Sequence, residues 1–594
     1  MATTDSRPPT AGVPTISAPP PAGPRRPRHA RAQWDTGPVP LPDAVASPAV
    51  APAPAGLPGG VPVARAVGSP GTVPLPDAVA SPAVAPAPAG LPGGTRLPGA
   101  SGSAGASGSA SGSPGAGVPG SSGAVGSAGA GAGGAGRAPQ TYLSVFNIAM
   151  MTTVTVMSLR ALPPMATYGL GSVTMWLVPA VVFLVPTALV GAELATTWKG
   201  GVYVWVREAL SNRFGFLAIW LQWIQNVVWY PTQLAFVAAA FAFMVGREHL
   251  SNSGLFTAVV ILVVYWVATI ITLRGGNLFA KVSSWGGVIG TVIPGILLVV
   301  LAIAWLGTGQ ASQAPLEADR LIPPFTGIAS IVLVVSNVLA FAGMEVNAVH
   351  AGQMRDPSRG YSKAMVVSFG LILAVCILPT IAVAIAVPNN QVGFTNGIFE
   401  AFRVFLDHFN LEWAVYVMAG AIGLGAVASV VTWVAGPSAG LLAAGRTGLL
   451  PQFWQRRNKH GVQEGILAVQ GVVVTALALL FVAIPDVSSA FIALVDMAAA
   501  LYILMYLLMF ASAIILRRKQ PNVERGYRVP ALNLVAGVGF AACVLALIMA
   551  FIPPAGHSVI GPAAYPWMVA LVVVVLGAPP LVFYALRKPS WKRE

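Results

Sequence analysis

The sequence predicts an all-α integral membrane protein, with twelve transmembrane helices preceded by a disordered tail. Three observations carry this. Of the 594 residues, 55% are hydrophobic and only 9% charged, where soluble domains carry about 25% charged residues; the mean hydropathy is +0.74. From Tyr142 onward the apolar residues gather into runs long enough to cross a bilayer, which takes about 20 residues. The first 138 residues are of a different composition altogether.

That first region, 1–138, is rich in Pro, Ala, Gly and Ser, with too few large apolar side chains to offset the entropy of ordering. The string VPLPDAVASPAVAPAPAGLPGG occurs unchanged at 39–60 and 73–94. It has no helical or strand periodicity to bury, so it reads as a duplicated disordered segment and not as a solenoid. From Ser101 to Gly136 the chain is nearly all Gly, Ser and Ala, a flexible linker.

The second region, 139–594, holds twelve apolar spans at about 142–165, 171–197, 214–245, 254–273, 280–306, 326–350, 362–387, 411–438, 465–485, 488–516, 531–552 and 564–586. Seventeen loop Lys and Arg residues, from Lys199 to Arg528, share the side of the loop after the second span. The opposite loops hold only Arg247, Arg320 and Arg403. The positive-inside rule then places both termini in the cytoplasm, in a multi-pass protein of the cell membrane. No charged, apolar and small-residue signal peptide opens the chain, so the first helix is expected to target the membrane itself. The net charge of +14 could point to nucleic acid, but its distribution over short loops makes it a topology signal. No nucleic-acid partner is expected, and no oligomeric state is specified.

One outer loop carries its own pattern. Phe399, Phe402, Leu406 and Phe409 recur at helical spacing with Glu400, Arg403 and Asp407 between them, which predicts a short amphipathic helix lying at the membrane interface.

Two spans are interrupted. The first contains Ser158-Leu159-Arg160-Ala161-Leu162-Pro163-Pro164; proline removes a backbone donor and disrupts the preceding turn, leaving carbonyls around Val156–Arg160 partly free. The sixth contains Phe341-Ala342-Gly343-Met344-Glu345. A carboxylate at the centre of a span costs ~2.5 kcal/mol or more, so Glu345 must face away from lipid, and Gly343 weakens the helix beside it. Free backbone at membrane depth is tolerated only where it lines a cavity or is buried in protein. Interrupted helices that open two successive five-span blocks point to a transporter's binding site, and the odd block length inverts the second block. The candidate substrate-binding residues are therefore Ser158, Leu159, Arg160, Ala161 and Leu162 with Phe341, Ala342, Gly343, Met344 and Glu345. Arg160 is always charged and needs an anion. Two are available, the substrate and Glu345; the expected resting state pairs Arg160 with Glu345, with substrate competing.

The strings LRALPPMATYG (159–169), GAELATTWKGGVYVWVREALSNRFGFLAIWLQW (191–223), FAGMEVNAVHAGQMRDPSRGY (341–361), GPSAGLLAAGRTGLLPQF (436–453) and NKHGV (458–462) resemble the amino acid–polyamine–organocation (APC) superfamily, and within it the glutamate/GABA antiporter-like permeases. The resemblance implies a LeuT-type fold, a five-plus-five inverted repeat with two further helices, and sodium-independent movement of an amino acid, often as exchange. The chain departs from its relatives at Gln353 and Ser362. Only Arg587 to Glu594 follow the last span, where acid-resistance exchangers carry a long plug.

Glu193, at the inner end of the second span, is expected to form a packing or gating ion pair with Arg213 or Lys199. Asp496 in the tenth span is either a pathway group or an internal hydrogen-bond partner, and Glu345, Arg160, Asp496 and Glu193 together are the gating or proton-coupling candidates. Tyr230 and Trp433 are further candidates for the pocket wall. Cys376 and Cys543 lie inside apolar runs without ligand spacing, so no disulfide, metal site or cofactor is expected. A membrane enzyme would need a nucleophile–base or metal-ligand cluster, and a channel repeated filter segments or charge rings; neither pattern is present. A transporter-like nutrient receptor without net transport is the alternative that sequence leaves open.

Overall fold

A computed structural model of the chain describes residues 143–156, 158–274, 286, 288–346, 354–555 and 558–592. The tail read over 1–138, the span limit at Tyr142, and His350 and Gln353 lie outside the described residues. Among the described residues the backbone is helical, with two isolated bridges, Leu143 to Met354 and Thr447 to Lys592, in place of any strand.

Ten helices are long and apolar enough to cross a membrane, among the described residues. In chain order the elements are α1 (Val145–Val156), α2 (Leu162–Ala166), α3 (Gly169–Thr197), α4 (Gly201–Ala209), α5 (Asn212–Met244), α6 (Gly254–Arg274), α7 (Ile289–Gly307), α8 (Val334–Phe341), α9 (Pro357–Ala386), α10 (Gly397–His408), α11 (Glu412–Arg446), α12 (Glu464–Ala483), α13 (Val487–Lys519), α14 (Leu532–Met549) and α15 (Tyr565–Ala585). A lipid-embedded backbone must satisfy its own polar groups, so each apolar run closes into a helix by itself. The first and sixth spans are the two that do not.

The packing sorts the helices by layer. The crossing stretch of α5 is 83% buried within the protein, whereas that of α15 is 11% buried. The central helix α5 packs against both α11 and α13, and α15 is left to face lipid. Where α7 meets α11 the backbones come unusually close: a Cβ placed on Gly290 would lie 2.4 Å from the Cα of Gly425. Small residues permit this contact, as they do at many membrane helix interfaces.

Three elements differ from the sequence expectation. The eighth span runs on to Arg446, past Pro437. Proline at 437 leaves the Trp433 carbonyl without its helical donor, and the Tyr230 hydroxyl donates to that oxygen at 2.8 Å. Tyr230 and Trp433 thus hold a helix together across the central layer. Next, α4 fills what the sequence left as a loop. Its buried residues Val202, Trp205, Val206 and Ala209 follow the i, i+3, i+4, i+7 rule of an amphipathic helix. Third, the expected amphipathic helix forms as α10, but its apolar face is covered by protein and not by lipid. Phe399 stacks at 5.2 Å on Phe236 of α5, and Phe402, Phe405 and Leu406 are buried. Amphipathic spacing says that a face must be covered; it does not say by what.

Candidate functional site

The two interrupted segments meet. In the first, Ser158 is extended, with φ −146° and ψ 123°, and a single turn, Leu159–Ala161, leads into α2. Pro163 and Pro164 sit at the start of α2, where a missing N–H is harmless. In the sixth span α8 ends at Phe341, Ala342 is extended and Gly343 takes φ +109°, a value that favours glycine. The turn Leu159–Ala161 packs against α8, and Leu159, Arg160, Ala161, Leu162, Phe341, Ala342, Met344 and Glu345 are all buried. Ser158 is half-buried.

Glu345 is the chemical centre of this junction. Its side chain is withdrawn from solvent, the residue being 2% exposed, and both carboxylate oxygens are engaged. The Tyr502 hydroxyl donates to Oε1 at 2.6 Å and the Gln222 amide at 3.3 Å. The Tyr506 hydroxyl donates to Oε2 at 2.6 Å, joined by the Gly343 N–H at 3.2 Å. That N–H also reaches the Tyr506 oxygen at 3.0 Å. The positive φ of Gly343 turns its amide back onto the carboxylate two residues on. The hydroxyl of Tyr361, fully buried and unpaired among the described residues, lies within electrostatic reach of the same group.

Sequence reasoning missed Tyr502, Tyr506 and Gln222. The signal was present: Tyr502 and Tyr506 are four residues apart in an apolar run, hence on one face of one helix. What it lacked was a reason to aim that face at Glu345.

The expected Arg160–Glu345 ion pair does not form. Arg160 has no ion pair or hydrogen bond among the described residues, and its Nε is buried without a partner. Its guanidinium lies over the ring of Phe491, 5.6 Å from the centroid. Phe491 precedes the tyrosine pair on α13 by eleven and fifteen residues, roughly 16 to 23 Å at the α-helical rise. The two groups thus lie against different stretches of α13, and no hydrogen bond or ion pair joins them among the described residues.

Asp496 is also buried, but it takes a hydrogen bond from the Tyr565 hydroxyl of α15 at 2.6 Å, which makes it an internal hydrogen-bond partner between α13 and the peripheral helix. Glu193 forms an ion pair, as expected, with other partners than expected. Arg517 clasps it with two nitrogens, one at 3.0 Å from Oε1. Arg525 Nε lies 3.0 Å from Oε1, and the Val529 N–H donates to Oε2 at 2.8 Å. Arg213 and Lys199 are exposed; the arginines that arrive come from the far end of α13 and the loop after it, a pairing that local spacing cannot predict.

Comparison with known proteins identifies the family. Residues 143–577 match the amino acid permease family. An uncharacterized transporter of Legionella pneumophila, lpg1691, is 39% identical over 418 residues, covering 69% of this chain and 90% of the relative. A glutamate/gamma-aminobutyrate antiporter of Lactococcus lactis is 32% identical over 457 residues, 75% of this chain and 91% of the relative. A probable agmatine/putrescine antiporter of the same species is 24% identical over 420 residues, 69% and 87% of the two chains. The chain belongs to the amino acid permease family of the APC superfamily: it is a multi-pass membrane transporter of amino acids, not an enzyme, and it is similar to the glutamate/gamma-aminobutyrate antiporters.

Proposed function

We propose that this chain is a sodium-independent secondary active transporter that works by alternating access, exchanging one amino acid for another or moving it with a proton. The observation that carries the reading is Glu345: a buried carboxylate at the meeting of two helix breaks, held by hydroxyls and amides and by no cation among the described residues. A desolvated carboxylate attracts a cation strongly. Glutamate, gamma-aminobutyrate, agmatine and putrescine, for which the relatives are named, share an amine. An amine at Glu345 would displace the tyrosine hydroxyls and loosen the tie between α13 and the sixth span, which gives substrate binding a structural consequence. In the absence of substrate the same position can take a proton.

Ten continuous and two interrupted crossing segments fit the LeuT-type plan of five-plus-five inverted repeats with two further helices. Under this reading both termini are cytoplasmic and the tail over 1–138 is dispensable for transport. The test is reconstitution of the full chain in proteoliposomes, followed by uptake and counterflow of a radiolabelled amino acid panel with and without a pH gradient. The expected result is transport that depends on pH, with Glu345→Gln flattening that dependence in a protein that remains folded. Failure of the wild type to move any amino acid under any of these conditions would refute the reading, and favour a receptor.

A further inference from the structure

The connection between α7 and α8 is long and nearly bare. From Gly307 to Thr326 every residue is exposed except Ser312, which is half-buried, and Ala314 and Pro323, which are buried. A connection of this length, with one short turn of its own at Ala318–Leu321, is uncommon inside a compact domain and usually serves a function. Its two buried residues sit on two glycines. A Cβ placed on Gly169 would stand 3.3 Å from the Cβ of Ala314, and one placed on Gly171 would stand 3.1 Å from the Cβ of Pro323. Both glycines lie in the first turn of α3, which follows directly on α2 and so on the break of the first span. Two hydrogen bonds complete the attachment. The Thr174 hydroxyl donates to the Leu321 carbonyl at 2.6 Å, and the Gln313 N–H donates to the Ile385 carbonyl of α9 at 3.0 Å.

Between this connection and the bundle lies a cavity of about 430 Å³. Its walls include Tyr168 and Leu170 from the end of the first span, Ser330 and Leu333 from the start of the sixth, and Pro315 and Arg320 from the connection itself. The two interrupted spans, whose breaks meet near Glu345, thus both open onto it from the end of the bundle that carries α10; Thr308 reaches His408 of α10 at 3.2 Å. The attachment is of a kind that can part and re-form. A glycine offers a flat contact with no side chain to withdraw, and a segment with few buried apolar contacts opens at low cost. Charge does not hold it down either: Arg320 Nε lies 4.0 Å from Glu317 and 3.8 Å from Asp319, both within the connection.

We infer that residues 308–326 form a strap that closes the transport path at this end of the bundle, and that it lifts from Gly169 and Gly171 in each transport cycle. This rests on the alternating access proposed above, in which one end of the path opens while the other is shut. The strap is seated on the outer turn of the first span, so motion of that span and release of the strap are one event.

The experiment uses the full chain carrying both Gly171→Cys and Pro323→Cys. A disulfide needs a Cβ separation of roughly 3.5–4.5 Å, which a shift of the strap by a few tenths of an ångström supplies. The native Cys376 and Cys543 are buried and stay in place. Oxidation should join the pair, as read by intact mass, and cut uptake of the radiolabelled amino acid panel in proteoliposomes about tenfold or more. Dithiothreitol should restore uptake, and neither single variant should respond. Full uptake by cross-linked protein overturns the inference, because the connection is then a fixed tie. Failure of the pair to join in folded protein also overturns it, since the contact on Gly171 is then absent. A second measurement needs no transport. Leu333, 3% exposed in the cavity wall, is replaced as Leu333→Cys and labelled with a bulky polar maleimide in purified protein. Adding Thr174→Val, which removes one tie of the strap, should speed that labelling about threefold or more; equal rates overturn the inference. This arm decides if the double variant does not fold. If the wild type moves no amino acid, the proposed function fails, and the labelling rates still decide whether the strap lifts.

Discussion

The two ends of the bundle are clasped by the same chemistry with opposite charge balance. At the end rich in basic loops, one carboxylate, Glu193, is shared by two guanidiniums, Arg517 and Arg525, and side-chain exposure is 19%, 4% and 4% for Arg517, Glu193 and Arg525. At the other end one guanidinium, Arg403, is shared by Glu248 and Asp407, with about a third to a half of each side chain exposed. A third carboxyl, Glu400, lies one turn before Arg403 on α10. Glu400 takes a hydrogen bond from Asn396 at 2.8 Å, and Asn396 also reaches Ser251 at 3.3 Å. The first clasp joins α3 to α13 and the loop beyond it. The second joins α10 to the turn after α5.

The difference teaches where a proton can be read. Burial, reinforced by the nearby Glu248, pushes the Glu400 carboxyl up to about 7 against the opposing effects of the Gly393 amide and Arg403. The ordinary value for a glutamate is about 4.3. A carboxyl raised on folding holds a proton that the unfolded chain has already released. Its contribution is therefore most favourable in acid and is lost as pH rises from about 4.3 to about 7. With three carboxyls around one guanidinium, this end of the molecule responds to pH near neutrality, and α10 is the element that feels it. At the Glu193 end a single carboxylate faces an excess of positive charge, and the consequence of disturbing it is structural.

That contrast breaks first at Glu193. Glu193→Gln leaves two guanidiniums, one of them buried, without their anion, and removing one partner of a buried pair costs ~3–5 kcal/mol. A large fall in Tm of the purified protein is expected; a Tm within about 2 °C of wild type would show the clasp to be incidental. Arg403→Gln should cost less, on the order of 1 kcal/mol, because exposed pairs contribute little. It should also move the acid-side midpoint of a Tm-against-pH curve upward, since Arg403 is one of the groups holding Glu400 down. A midpoint that moves down, or stays, breaks the assignment to this cluster. The smallest change is Glu400→Gln. Its Tm should match wild type below about pH 4.3, and the decline expected of wild type on approaching pH 7 should be flatter in this variant. Retention of the full wild-type decline would place the titrating group elsewhere.

What the sequence by itself determined is what each segment decides alone. A run of apolar residues closes into a helix because lipid offers its backbone no partners, so the crossing segments were legible from composition. Their two interruptions were legible from Pro163, Pro164 and Gly343, which act on their own turns. The burial of Glu345 followed from the cost of exposing it to lipid. Tertiary structure decided which groups meet across the bundle. Glu345 requires donors, and Tyr502, Tyr506 and Gln222 supply them from residues 123 to 161 positions away. Glu193 requires a cation, and Arg517, 324 positions on, was preferred over its exposed neighbours Lys199 and Arg213. Arg160 and Glu345 are opposite charges on partner helices, yet they do not pair: one meets Phe491 of α13 and the other Tyr502 and Tyr506. Charge and burial state only that a partner is needed; helix packing fixes the distances that choose it.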